Sequence, residues 1–195
     1  AAEGRAGLLT GRHQQRFGHE TNIAPRYSDT DGLPVEERTL ADRLRDGGYR
    51  TIALGKWHLG YAPHFHPLAR GFTDFCGFLQ GARSYFPLAE PTRLNRLLHD
   101  REPAPERFDY LTDALAQRAA EYIAECADAA ERRPFLLYVA FNAVHTPMEA
   151  TAADLAAVPA DDVTPRRRKL IAMTQALDRA GGAVLDALDA HGLGD

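Results

Sequence analysis

Long apolar runs are missing from this sequence. None approaches the ~20 residues that a membrane helix needs, so no membrane-spanning helix and no membrane partner are expected. Cysteine is scarce as well. Cys76 and Cys126 stand apart, with no C-x-x-C spacing for a metal and too few thiols for a disulfide framework; both are expected as buried free thiols. Excess positive charge is also absent. The 23 Lys and Arg stand against 27 Asp and Glu, a formal charge of −4, which argues against a nucleic-acid partner. The one basic run, Arg166-Arg167-Arg168-Lys169, opens a helical pattern and is expected as a solvated first turn. No secretory leader stands at the start, but the text opens abruptly, so this says little about compartment. No internal repeat or linker divides the 195 residues, which suffice for one domain with a sizeable core.

What is present centres on Gly55-Lys56-Trp57-His58-Leu59-Gly60. It follows Thr51-Ile52-Ala53-Leu54, a short apolar run read as a buried strand. Ligands of open α/β sheets bind at the carboxyl ends of strands. There Lys56 offers a point charge with three donors, and His58 a proton carrier near neutral pH. The plain alternative is a strand followed by a turn, with Lys56 solvated and His58 satisfied by a neighbour.

Residues 1–12 suggest one or two helical turns stopped at Gly11, and residues 13–33 read as loop. Thr39-Leu40-Ala41-Asp42 resembles a capping box opening a helix that Gly47-Gly48 ends. Residues 61–106, with six prolines and many aromatics, read as one long functional loop or lid. Within it His64 and His66 have the spacing of a metal pair on a strand, but no carboxylate completes it and they are read as surface histidines. Thr112–Ala129 keeps a helical period. Phe135–Phe141 is continuously apolar, as in a parallel strand buried on both faces, and leads directly to His145-Thr146-Pro147. Pro165 starts a last helix running to about residue 190. This alternation predicts an α/β protein with a mostly parallel sheet. A helix without a leading strand and another without a following strand predict an internal piece, incomplete at both ends. Open sheet edges would then favour self-association.

Three segments together resemble the sulfatase family of the alkaline-phosphatase superfamily. They are Arg5-Ala6-Gly7-Leu8-Leu9-Thr10-Gly11-Arg12, Gly55–Gly60, and His145-Thr146-Pro147. The intervening text, such as Gln14–Glu20 and Arg70-Gly71-Phe72, is similar to bacterial relatives of N-acetylgalactosamine-6-sulfatase. The resemblance implies an alkaline-phosphatase-like fold. Residues 1–195 would be part of one catalytic domain lacking the N-terminal metal-ligand strand and the C-terminal strands. It implies hydrolysis of sulfate esters of sugars or small aryl compounds by a formylglycine nucleophile made from cysteine, with calcium as the metal. It also implies a periplasmic or secreted location. By this likeness Arg5 steadies the hydrated aldehyde, and Lys56 binds the hydrate and the sulfate. His58 helps eject sulfate from the covalent intermediate, and His145 protonates the leaving-group oxygen.

The sequence departs from the family pattern where the nucleophile belongs. Counting back from Arg5, that position is Ala1, and Glu3 and Gly4 replace the motif proline and serine. A methyl group can neither become an aldehyde nor attack sulfur. The family's calcium ligands would lie before Ala1 and after Asp195, and Asp161-Asp162 is no substitute, so no metal ligand is assigned. The chain as given is therefore expected to be inactive. The alternatives are a non-catalytic relative that binds anionic sugars, and a phosphodiester or phosphonate hydrolase of the same superfamily.

Overall fold

Arg50–Lys56 forms β1, an interior strand of the sheet, because it is small and apolar enough to be covered on both faces; every residue after Arg50 is buried. The computed structural model describes residues 2–159 and 163–194. Ala1 and the Asp161-Asp162 pair lie outside the described residues. The chain divides into two units. The first comprises Ala1–Gly81, Glu90–Pro105 and Arg133–Ala140; the second comprises Ala82–Ala89, Glu106–Arg132 and Phe141–Asp195.

In the first unit β1 pairs in parallel with β2 (Asp74–Phe78) on one side and β5 (Phe135–Ala140) on the other. The short strands β3 (Leu98–His99) and β4 (Glu102–Pro103) add antiparallel pairs, giving the order β4-β3-β2-β1-β5. The sheet is thus mixed, with its long ladders parallel. The long irregular stretch expected over 61–106 is corrected here: it contains β2, β3 and β4. Gly77 and Cys76 within Asp74–Phe78 weaken the strand pattern in the text. In space Gly77 is required, since a Cβ there would sit 2.0 Å from the Gly55 carbonyl oxygen of β1. The expectation that β5 is buried on both faces is also corrected. Phe135–Val139 are half-buried, and only Ala140 is buried, because β5 ends the described sheet and pairs only with β1.

Helix α1 (Ala2–Thr10) buries Ala2, Ala6 and Leu9, a stripe at helical spacing that joins Trp57, Leu59, Phe72 and Phe75 in the core. Gly11 then stops it in the left-handed region at φ 66°. Helix α2 (Leu40–Asp46) has the expected capping box. The Thr39 hydroxyl accepts from Asp42 N–H at 3.0 Å, and the Asp42 carboxylate accepts from Thr39 N–H at 2.9 Å. The Arg70 guanidinium is buried and donates to the carbonyls of Leu33, Pro34 and Glu37, which fixes the connection ahead of α2.

In the second unit α3 (Leu111–Asp128) packs on α5 (Pro165–Ala190), burying Leu115, Ala119, Tyr122 and Cys126 on one and Met173, Ala176 and Ala180 on the other. The text did not show α4 (Ala152–Ala157), six residues capped by the Thr151 hydroxyl. The basic run at the start of α5 is solvated at Arg166, Arg167 and Lys169. Arg168 differs: it donates to the carbonyls of Val158 and Leu155 and so ties α4 to α5. Neither cysteine is in a disulfide; Cys126 is buried and Cys76 only half-buried. Among the described residues no helix is long and apolar enough to cross a membrane.

Candidate functional site

Lys56 is the last residue of β1, and pairing continues past it. Trp57 N–H donates to Phe78 O at 2.9 Å, and His58 N–H donates to Leu79 O at 3.0 Å. The segment after β1 is therefore pinned to the segment after β2. The Trp57 ring is buried beneath, with its indole N–H on the Phe65 carbonyl at 2.8 Å. His58 holds φ at 57°, an uncommon backbone region for a residue with a side chain. Its ring fills the space against Gly81, where a Cβ would lie 2.3–2.7 Å from the imidazole.

The ring's hydrogen bonds fix its chemistry. Nε2 lies 3.1 Å from the Ile23 carbonyl, which can only accept, so Nε2 carries the proton. Nδ1 is then a bare lone pair, buried and without a partner. Burial is the main reason the His58 imidazole is pushed down to about 4, with Lys56 and Arg5 as further causes and the Ile23 bond opposing them. It is a neutral base at pH 7.

Lys56 is 2% exposed and has no counter-ion among the described residues. Burial first, and the Arg5 charge second, lower its ammonium from 10.5 to about 8. Arg5 sits on α1 beside the buried Ala6, half-buried, with Nε enclosed and unpartnered. Its charge also bears on the Tyr138 hydroxyl of β5, where it opposes the upward push of burial. The first unit thus brings the charges of Arg5, Lys56 and His58 to bear on one another, from one helix and from the end of the interior strand β1. Three basic groups without an acid among them make this end of the strand electropositive.

His145 is carried by the second unit, in the segment after Asn142. It is exposed, and Nδ1 faces the Thr146 carbonyl at 2.7 Å, so Nδ1 carries the proton of the neutral ring and Nε2 is left open. Its main chain is anchored by the Tyr85 hydroxyl, which donates to the His145 carbonyl at 2.9 Å. Tyr85 stacks on Tyr110 at 5.5 Å, and Tyr110 donates to the Glu149 carbonyl at 2.9 Å. The Glu149 carboxylate accepts from Ser84 Oγ and Tyr85 N–H, each at 2.8 Å. Asn142 is buried, and its amide donates to the Arg83 carbonyl.

Sequence reasoning missed three contributors. Asn22 accepts from Ala2 N–H at 3.0 Å and so holds the first turn of α1. Ile23 supplies the carbonyl that sets the His58 tautomer. Gly81 gives the ring its room. The first two sit in a turn-rich loop with no periodicity to flag them. Gly81 could have been found by reading Asp74–Phe78 as a strand beside β1. The pairing of His64 and His66 is corrected. Neither is in a strand: His64 lies in a 3-10 turn and His66 between that turn and the next, where it is buried, its Nδ1 accepting from Leu68 N–H. Only His64 is a surface histidine.

No group of three or more His, Cys, Asp or Glu among the described residues could hold a metal ion. The described residues do not fit a calcium site.

A mixed sheet flanked by helices, with cationic groups at the carboxyl end of its interior strand β1, defines an α/β protein. Residues 1–195 match the family model described as Sulfatase. The chain is 31% identical to mouse (Mus musculus) arylsulfatase J, over 96% of this chain and 32% of that protein. It is 30% identical to human (Homo sapiens) N-acetylgalactosamine-6-sulfatase, over 96% of this chain and 37% of that protein. Its fold superposes on the crystal structure of Ps i-CgsB in complex with k-i-k-neocarrahexaose with a TM-score of 0.90 and 32% identity, covering 99% of this chain and 45% of that one. The chain belongs to the sulfatase family. It spans about a third of the length of these curated relatives.

Proposed function

We propose that the chain is part of the catalytic domain of a sulfuric ester hydrolase, and that its residues supply the anion-holding and proton-handling parts of that site. The observation that carries this reading is the trio of half-buried Arg5 with buried Lys56 and His58, unpaired with any carboxylate among the described residues. Charge on sulfate oxygens grows as the ester bond breaks, and fixed cations in a dry site stabilise it without reorganising. Lys56 and Arg5 take that role. His58, neutral with a bare Nδ1, is suited to accept the proton whose removal expels sulfate from a covalent intermediate. His145, with Nδ1–H fixed on a carbonyl, presents Nε2; protonated there, it acts as the acid for the leaving oxygen.

The substrate class is a sulfated carbohydrate or aryl sulfate, a reading supported by the similarity to a solved protein that holds a neocarrahexaose. Calcium and formylglycine belong to the family pattern. Calcium has no ligand set among the described residues. Alanine stands at the nucleophile position, so this chain binds sulfate esters without turning them over. Calorimetric titration with inorganic sulfate tests the trio: wild type binds, and Lys56→Ala does not. Equal binding by the two proteins overturns the proposal. So does hydrolysis of an aryl sulfate by the wild-type chain that His145→Ala abolishes, because it would require a nucleophile other than residue 1.

A further inference from the structure

A cavity of about 370 Å³ opens in the first unit within residues 18–32, a volume at the lower end of small-molecule sites. Two of its lining residues also hold the anion site: Asn22 accepts from Ala2 N–H of α1, and Ile23 O receives His58 Nε2. The cavity and the basic trio therefore share a wall. Its chemistry differs from the trio's, with the carboxylates of Glu20 and Asp31 beside Arg26 and His19. Glu20 has no partner among the described residues, and the Asp31 carboxylate meets the guanidinium of Arg26, which also lines the cavity, at 3.4 Å. His19 is 6% exposed, with Nε2 enclosed and unpartnered. Burial lowers its imidazole below the ordinary range, and the ring also meets the Gly32 carbonyl, which leaves Nε2 as an acceptor. Two carboxylates and an imidazole lone pair ask for hydroxyl donors and repel a second anion. An enclosed polar atom without a partner calls for an explanation, and a donor from a ligand supplies one.

We propose that this cavity is a subsite for an uncharged, hydroxyl-bearing sugar unit adjoining the sulfated unit held by Arg5, Lys56 and His58. The ligand of the whole site is then an oligosaccharide with a neutral neighbour to the sulfated ring, rather than a lone sulfated monosaccharide or a compound sulfated on both units. This deepens the proposed function and rests on it for the sulfated half, while the neutral half stands on the cavity alone.

Amide chemical shifts of the ¹⁵N-labelled chain test the two halves separately, with lactose as the neutral probe and inorganic sulfate as the anionic one. Lactose is expected to shift amides within residues 18–32 in a saturable way. Glu20→Ala and Asp31→Ala each weaken that response about tenfold, with spectra unchanged outside the loop and the sulfate response intact. Lys56→Ala abolishes the sulfate response and leaves the lactose response. Joining both chemistries, 6′-O-sulfolactose binds at least tenfold tighter than lactose. Lactose shifts that are absent, that map elsewhere, or that survive both loop variants overturn the subsite. A wild-type chain that responds to lactose but not to sulfate overturns the anion site only.

Discussion

Replacing Lys56 by methionine should make the protein more stable while removing its affinity for sulfate. The side chain is 2% exposed and its ammonium meets no carboxylate among the described residues. Its drop from 10.5 to about 8, at about 1.4 kcal/mol per decade, means that the buried charge costs the folded state roughly 3 kcal/mol. Methionine keeps the unbranched shape and removes the charge, so most of that cost is recovered. The gain depends on pH in a defined direction. Below pH 8 lysine is protonated both folded and unfolded, and the penalty is full. Between about 8 and 10.5 the folded state gives up its proton first, so wild type becomes more stable as pH rises. The advantage of Lys56→Met should thus be largest near pH 7 and nearly gone at pH 10.5. Trp57, the only tryptophan, is buried next to the mutated position, so urea unfolding followed by its fluorescence reports on the first unit. Sulfate at a hundred times its dissociation constant should add about 2.7 kcal/mol to wild type and nothing to the variant. A variant that is less stable at pH 7, or a gap that does not change with pH, refutes the idea that an uncompensated ammonium is stored here for an anion.

Four further outcomes follow from the same geometry. Gly81→Ala places a methyl within 2.3–2.7 Å of the His58 ring; it should cost about 1–3 kcal/mol and move the His58 Cε1–H resonance, and an unchanged resonance contradicts the packing. Gly77→Ala meets the Gly55 carbonyl at 2.0 Å, backbone that cannot step aside; loss of soluble protein is expected, and a normal melting curve contradicts the register. Thr39→Ala removes the α2 cap and the bond from its hydroxyl to the Arg70 carbonyl; thermal unfolding should show a loss of about 1–2 kcal/mol. Burial holds the imidazoles of His58 and His66 down to about 4, so between pH 6.5 and 4 the unfolded chain takes up their protons first. Stability should fall as pH drops through that window, and replacing His66 by leucine should flatten part of the slope.

The sequence announced the helices wherever a chemical punctuation mark stood beside a period. Thr39 with Asp42, Pro165 after Thr164, and the stripe through α3 all appear as expected. Lys56 and His58 were legible because a strand of small apolar residues runs straight into them. Strand β2 was not, because its place is set by a backbone fit between Gly77 and Gly55 that leaves no hydrophobic signature. The burial of His66 was hidden for a similar reason: it sits between two 3-10 turns opened by Pro63 and Pro67 and packs onto Phe75, with rings 5.2 Å apart at nearly a right angle. The loop over 18–32 was legible only as loop. Its functional content lies in single atoms, the Ile23 carbonyl and the Asn22 amide oxygen, and neither depends on a distinctive residue type.

At the opposite end of β1 from Lys56, Arg50 clasps Asp74 of β2 with two hydrogen bonds, at 3.1 and 2.6 Å. The strand thus has an anchored root and a working tip. Changes that tighten the root, by a better ion pair or a stiffer turn ahead of it, would raise durability without trespassing on the chemistry. An engineer could harden one end of this sheet and leave the other free to diverge.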